Sequence, residues 1–313
     1  MQILFYDANG HDRTLTAKEL AGAKITTDTL LWVNASKAQI VKAKLPKELA
    51  AAIGEARFDD LTVRVYDTFY AFAVPVAADN PAPAAPVNMF VGENWLITLG
   101  EGDAVDFTDF ISHDVGETMK GKLSGSTLAA ALLSDYFGRI HHRVSMIDRE
   151  VDRVEERVLV TREGRNTLQV MAVMRRQVSR LRHVLADYRP VIHALTRPDF
   201  LPELTDDDTK HFRYLQAGYE RLEDDVNRVR EAVVGSFDLY STRIALDTNR
   251  LIRTLTFFTI GIGLVGAVAG VFGMNFQVEM FEQGQAPFAV VAVIMGLIMA
   301  ITSGIALYTY RKP

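Results

Sequence analysis

Few side chains in this 313-residue sequence have both the type and the setting for chemistry. There is no cysteine, which removes disulfides, thiolate metal sites and cysteine nucleophiles. His141, His142, His183 and His193 fall in a helical region without a metal-ligand spacing on one face and read as surface residues. No nucleophile elbow is present and no His pair stands near a carboxylate, so an enzyme is the least favoured class. Gly116 to Lys122 matches the first part of a phosphate-cradling loop, but Leu123 stands where such a loop needs Ser or Thr to hold its metal ion. Phe107 to Val115 before it is no convincing buried strand, so the segment reads as a flexible linker to a helix capped by Ser126 or Thr127. What remains is Asn275, in Gly273-Met274-Asn275 at the far end of an apolar run. A neutral amide oxygen there can accept a hydrogen bond from water bound to a metal ion.

The apolar run that leads to Asn275 carries no charge from Thr254 to Val278. At roughly 1.5 Å of rise per residue it is long enough to cross a hydrocarbon core of about 30 Å. A second uncharged run, Gln283 to Tyr310, follows a short loop holding Glu279 and Glu282, so the pair predicts a transmembrane hairpin. Arg250 and Arg253 precede the first span, Arg311 and Lys312 follow the second, and the loop has no Lys or Arg. The positive-inside tendency therefore puts both termini in the cytoplasm and Asn275 at the outer end of the first span.

Three long helices are predicted to lead into the membrane. Leu132, Leu133, Tyr136, Ile140, Val144, Ile147, Val151, Val154 and Val158 recur at three and four residues. Arg162 to Asn166 breaks that stripe, and Leu168, Met171, Val178, Leu181, Leu185 and Ile192 mark a returning helix before Pro198 and Pro202. Asp206-Asp207-Asp208 suits a third helix N-terminus, where carboxylates cap free amides. Leu215, Tyr219, Leu222, Val226, Val229, Val233, Phe237, Tyr240 and Ile244 then keep a heptad-like seam. No proline falls between Pro202 and Pro287, which predicts one helix from the cytosol through the first span.

Ahead of the helices, Ile3–Tyr6, Leu30–Val33, Leu61–Tyr66 and Phe69–Val76 carry the β-branched and aromatic residues of strands. Thr16 to Glu19 reads as a capping box and Pro46-Lys47-Glu48 as a helix start. Asn80–Pro86 reads as a loop, and Gly92-Glu93-Asn94 as the turn of a hairpin between Val87–Val91 and Trp95–Leu99. Composition agrees with a split chain, with 49% hydrophobic and 23% charged residues and most charge before Arg253. The net charge of −5 gives no nucleic-acid footprint. Met1 to Gly10 lacks the regions of a signal peptide, so insertion is expected to rely on the C-terminal spans. The expected organisation is an α+β membrane protein: an N-terminal α/β cytosolic domain over 1–120, a long-helix hairpin and stalk over 121–250, and a transmembrane hairpin over 251–313.

The order Asn249, Leu255-Thr256, Phe272-Gly273-Met274-Asn275-Phe276, a brief loop, a second span and a basic tail resembles the CorA family of divalent-cation transporters. Phe90 to Leu99 is similar to a hairpin of CorA soluble domains. The resemblance implies a funnel-shaped homopentamer in the inner membrane, with the third helix as stalk and pore wall. It implies Mg2+ as transported ion, with Zn2+, Co2+ or Ni2+ as further possible substrates, and no nucleic acid partner. Positions matching pore-facing ones are Asp238, Asn249, Ile252, Leu255, Gly263, Gly266 and Gly270, with Gly273, Met274 and Asn275 at the mouth. Ile252 and Leu255 would form apolar rings that gate by dewetting, and amide rings at Asn249 and Asn275 would suit hydrated magnesium. The glycines equally fit plain close packing of membrane helices. Glu279 and Glu282 would attract cations by their field.

Cytoplasmic Mg2+ bridging of acids is the family's regulatory device, and Asp103, Asp106, Asp206, Asp207 and Asp208 are the candidates for it, although helix capping explains the last three equally well. Three features depart from the family. The first span lacks its usual proline, Gly263 stands where a bulky residue is common, and the outer loop lacks a Met-Pro-Glu-Leu run. Two other readings stay open: the ZntB branch, moving Zn2+ with proton coupling, and a non-conducting coiled-coil scaffold anchored in the membrane.

Overall fold

The computed structural model describes residues 1–8, 11–55, 62–76, 85–100, 107–108, 110–111, 124–160, 164–197, 200, 206–274 and 286–311. The chain divides into two units, Met1–Arg153 with Leu168–Val234, and Val154–Thr167 with Gly235–Pro313.

The first unit is built on a seven-stranded mixed sheet of β1 (Gln2–Asp7), β2 (Arg13–Thr14), β3 (Thr29–Ser36), β4 (Arg64–Val65), β5 (Phe69–Val76), β6 (Ala85–Gly92) and β7 (Trp95–Gly100). Its order is β2-β1-β3-β7-β6-β5-β4, with β3 and β7 parallel and the other neighbours antiparallel. β5 and β7 are buried along nearly their whole length, as strands are when both faces of a sheet are covered. One face, with Ile3, Leu31, Val33, Phe90 and Ile97, packs on Leu20, Ile40, Leu49 and Ala52 of the short helices α1 (Ala17–Leu20), α2 (Lys37–Ile40) and α3 (Lys47–Glu55). The alternate residues carry a polar chain, buried except where it ends at the exposed Gln2. Trp32 Nε1 donates to Thr98 Oγ1 at 3.2 Å, Thr98 to Asn34 Oδ1 at 3.0 Å, and Asn34 Nδ2 to Gln2 Oε1 at 3.1 Å.

Local signals account for most of these elements. The Thr16 backbone N–H donates to the Glu19 carboxylate at 2.8 Å, closing the expected capping box. Ser36 and Gln39 form a second one at the start of α2. The expected Leu61–Tyr66 strand is shorter, since only Arg64–Val65 pairs and Leu61 lies outside the described residues. The expected Asn80–Pro86 loop yields its last two residues to β6, where Pro86 sits opposite Pro75. Neither proline faces a third strand, because pairing with β7 starts at Val87 and pairing with β4 ends at Ala71, so the missing N–H groups cost no further ladder bond.

Three long helices follow: α4 (Gly125–Val160), α5 (Gly164–Leu195) and α6 (Asp206–Gly273). The cap of α4 is Ser124, not Ser126 or Thr127: its hydroxyl oxygen accepts from the N–H groups of Ser126 and Thr127 at 3.1 and 3.5 Å. The helix starts there because Gly125 is wedged under the β6–β7 hairpin. Its N–H donates to Glu93 O at 2.8 Å, and a Cβ would meet Gly92 O at 2.3 Å and Trp95 O at 2.5 Å. The stripe from Leu132 to Val158 is buried as the spacing requires, and so are Met171, Val178, Leu185 and Ile192 of α5. Leu168 is not; it stays exposed on the first turns of α5.

The seam of α6 is covered inside the chain only in its first half. Leu215, Tyr219, Leu222, Val226, Val229 and Val233 are buried, Phe237 and Tyr240 are half-buried, and Ile244 is exposed. Tyr219 reaches across to donate to Leu185 O at 2.9 Å, and its ring lies tilted against Phe137 with centroids 5.9 Å apart. His141 pairs with Asp225 at 3.1 Å, and Arg189 with Glu223.

Tyr188 ties α5 to the sheet: its hydroxyl donates to Pro75 O at 2.9 Å, while its ring packs against Tyr136 and Phe137. Burial raises the Tyr188 and Tyr70 hydroxyls above the usual tyrosine range because the phenolate would be desolvated. Tyr188→Phe leaves the Pro75 carbonyl without its donor and is expected to cost about 1–3 kcal/mol in chemical unfolding of the chain. The neutral forms are the ones the fold favours. Their contribution is therefore complete below a pH of about 10 and lost as pH rises above it, so the melting temperature should fall in that alkaline range, less steeply in the Tyr188→Phe variant.

Candidate functional site

The second unit holds the last part of α6 and α7 (Ala286–Arg311), which among the described residues are the two helices long and apolar enough to cross a membrane. Only 6% of the most apolar window of each is buried, so neither is the core helix of a soluble domain. In a bilayer an unbroken helix satisfies its own backbone, which the proline-free sequence of α6 permits down to Gly273. Near its end Met274 N–H donates to Val271 O at 3.3 Å and the Met274 side chain is exposed.

The two helices meet at a small residue. A Cβ on Gly261 would stand 2.4 Å from Thr302 Oγ1 and 3.1 Å from Thr302 Cβ, so only glycine allows this approach. The Thr302 hydroxyl is held by donating to Ile298 O at 2.8 Å. Among the described residues, nothing stands within 4 Å of where a Cβ would sit on Gly263, Gly266, Gly270 or Gly273. The close-packing explanation thus holds for Gly261 within the chain and leaves the other four on open faces of the protomer.

Rotation about the helix separates these roles. At about 100° per residue, Gly263 lies about 200° round from Gly261, and Gly266 and Gly270 follow on the same side. Ile252 and Leu255 share that side and are 56% and 67% exposed, an unusual cost for large apolar groups unless lipid or another copy covers them. Asn249 and Asp238 are exposed as well. Among the expected mouth residues Gly273 and Met274 are described, whereas Asn275, Glu279 and Glu282 lie outside the described residues.

Just before the apolar segment, Asp247 lies 3.6 Å from both Arg243 and Arg250 on the same helix, dividing one carboxylate between two guanidiniums. Ser236 donates to Glu155 at 3.0 Å.

The acidic candidates separate. Asp208 is buried and accepts from Ser124 Oγ at 2.8 Å and Thr127 Oγ1 at 3.0 Å, which aims the α4 cap. Asp207 is exposed and pairs with Lys210 at 3.0 Å, whose hydrogen bond holds the carboxyl below its usual range. Asp206 is exposed, and Asp103 and Asp106 lie outside the described residues, as does Gly116–Lys122. Among the described residues no group of three or more His, Asp or Glu is placed to hold a metal ion. The Ser124–Asp208 bond and the Gly261–Thr302 contact were missed by sequence reasoning, because both join residues far apart in the chain.

A model of the family described as CorA-like Mg2+ transporter protein matches residues 42–311. The chain belongs to this family. It is 29% identical over 175 residues to the cobalt/magnesium transport protein CorA of Thermotoga maritima, an alignment covering 56% of this chain and 48% of that protein, so the match spans about half the relative's length. In fold it is similar to the CorA magnesium transporter of Methanocaldococcus jannaschii, with TM-score 0.73, 17% identity and 97% of each chain covered. It is also similar to the full-length CmaX protein, with TM-score 0.71, 19% identity, and 99% of this chain and 97% of that one covered. The ZntB cytoplasmic domain of Vibrio parahaemolyticus matches with TM-score 0.56 and 10% identity over 78% of this chain and 98% of that one. These likenesses agree with the expected α+β architecture of a mixed-sheet domain, long helices and an apolar C-terminal helix pair.

The Gly261 contact sets an expected outcome within this CorA-family hairpin. Gly261→Ala should lower the thermal stability of the detergent-solubilised protein by about 1–3 kcal/mol through overpacking. Adding Thr302→Ala removes the nearest atom and should recover part of that loss. Strictly additive losses in the double variant would show that the two side chains do not meet.

Proposed function

We propose that this chain is a divalent cation channel or transporter of the CorA type, with Mg2+ the principal ion, working as a homopentamer in the inner membrane with both termini cytoplasmic. The observation that carries the reading is the division of α6 into a side closed by α7 at Gly261 and an opposite, bare side bearing Asn249, Ile252, Leu255, Gly263, Gly266 and Gly270. Copies of α6 brought together along that side enclose a path whose large apolar groups, Ile252 and Leu255, leave water and let the ion pass only when the rings widen. Asn249 on one side and Asn275 on the other offer amide oxygens to the water of a hydrated ion, which Mg2+ gives up reluctantly. Glu279 and Glu282 would raise the cation concentration at the outer mouth. The basic residues flanking the spans support the orientation.

Regulation by internal Mg2+ is carried in this reading by Asp206 and Asp207, with Asp103 and Asp106 as further candidates, because Asp208 is already committed to the start of α4. Asp206→Asn with Asp207→Asn leaves that anchor untouched. The double variant should be less inhibited by internal Mg2+ in flux assays, and unchanged inhibition removes this pair as the sensor.

Ion entry into proteoliposomes decides among the readings. Mg2+ entry indifferent to an imposed proton gradient is the expected result. Zn2+ entry that rises with the gradient would assign the chain to the ZntB branch, and no flux of either ion would favour a scaffold. Asn275→Ala should abolish entry while the oligomer stays intact in size-exclusion chromatography; full transport by that variant would sink the mouth assignment.

A further inference from the structure

The pore-facing positions of α6 leave a gap. Leu255 and Gly263 are more than two turns apart, and the residue midway between them is Thr259. At about 100° per residue, Thr259 falls within about 40° of Ile252, Leu255, Gly263, Gly266 and Gly270, in the middle of the bare side, and about 200° from Gly261, where α7 packs. It is exposed in the protomer. Its neighbours on that line are alkyl groups on one side and glycines on the other, so Thr259 is the polar side chain on this line between Ile252 and Gly270.

The hydroxyl of Thr259 is also oriented. It donates to Leu255 O at 2.9 Å. A threonine hydroxyl has one hydrogen to donate and two lone pairs. With the hydrogen spent on the helix backbone, what it turns away from the helix is acceptor only. Water bound to a divalent cation presents its hydrogens outward, so a ring of such oxygens matches a hydrated cation and repels an anion's hydration shell. Thr256 and Thr254 make the same kind of bond, to Ile252 O at 2.8 Å and Arg250 O at 2.9 Å. Thr256 lies about 60° off the line, and Thr254 is half-buried about 140° away from it.

Resting on the CorA-type reading, we infer that Thr259 is a specificity-determining residue of the conduction path, its hydroxyl oxygens forming an acceptor ring for the water shell of a divalent cation just beyond the Leu255 constriction. The ring would let a hydrated ion that has passed the apolar gate recover hydrogen bonds before the glycine-lined stretch, where no side chain offers any.

The test uses the full-length chain in proteoliposomes. Thr259→Val keeps the shape and removes the hydroxyl, and should slow Mg2+ entry about tenfold, the upper end of the loss expected for one neutral hydrogen bond. Thr259→Ser should keep wild-type entry, and so should Thr254→Val, which deletes an equivalent backbone bond off the line. Wild-type entry by Thr259→Val, or an equal loss in Thr254→Val, overturns the inference. A second readout needs no transport. Because the chain has no cysteine, Thr259→Cys carries a unique thiol. It should react with a water-soluble cationic thiol reagent, and Mg2+ should slow that labelling; a thiol that resists the reagent in the assembled protein also overturns it. Absence of Mg2+ entry in the wild-type chain would count against the CorA-type reading itself, which the labelling result keeps separate from the placement of Thr259.

Discussion

The constraint on which the rest of the structure depends is the unbroken backbone of α6. Between the first and last turns of Asp206–Gly273 each peptide group is satisfied within the helix, which water makes optional in the first half and a bilayer makes obligatory in the second. A proline within the apolar run that begins at Thr254 would free a backbone carbonyl in hydrocarbon, and the sequence places none there before Pro287. Pro190 in α5 shows the contrast, since that helix tolerates a proline near its C-terminal end in a unit where other donors and water are at hand. Continuity also fixes rotation. Once α7 settles on Gly261, the side presented by every other residue of the span is determined.

Burial changes along the same helix. Its early seam is consumed by packing within the chain, through Tyr219, Leu222 and Val226, while Ile244, Leu251, Ile252 and Leu255 are left bare. Roughly 25 cal/mol of favourable transfer is forgone per Å² of such apolar surface in water, so the second half is a surface made for lipid or for further copies of itself. The seam's regular spacing conceals this, because heptad periodicity is the same whether the partner is a neighbouring segment or a neighbouring subunit.

How much was legible in the sequence follows from how local each cause is. The helix stripes, the Thr16–Glu19 box, the Gly92–Asn94 turn and the length of α6 are set by residues a few positions apart, and the pattern contains them. β2, with two residues, carries too few side chains to show an alternation, and β4 is little longer than a bend. The α4 cap was misplaced by two or three residues because Ser124, Ser126 and Thr127 are equivalent as caps. Only the docking of Gly125 under Gly92 and Trp95, from a strand pair well upstream, selects Ser124. Asp208 reads as a dipole-compensating acid by position, and its real partners, Ser124 and Thr127, are invisible until α4 and α6 are side by side.

The same distinction separates the glycines of the span. By type they are interchangeable, and their spacing serves helix packing as well as a pore. Gly261 is singled out by an atom on another helix, the Thr302 oxygen, which leaves no room for a methyl group. Gly263, Gly266 and Gly270 are singled out by the lack of any such neighbour in the protomer, and so must be explained by what lies outside it. Lipid alone would gain nothing from glycine there, since a leucine would satisfy it better at less conformational cost in the helix. A narrow passage would, because it is the absence of side chains that sets its width. Glycine on the side away from α7 therefore fits the proposed conduction path, and equally the close approach of a neighbouring copy, better than a wall that faces lipid alone.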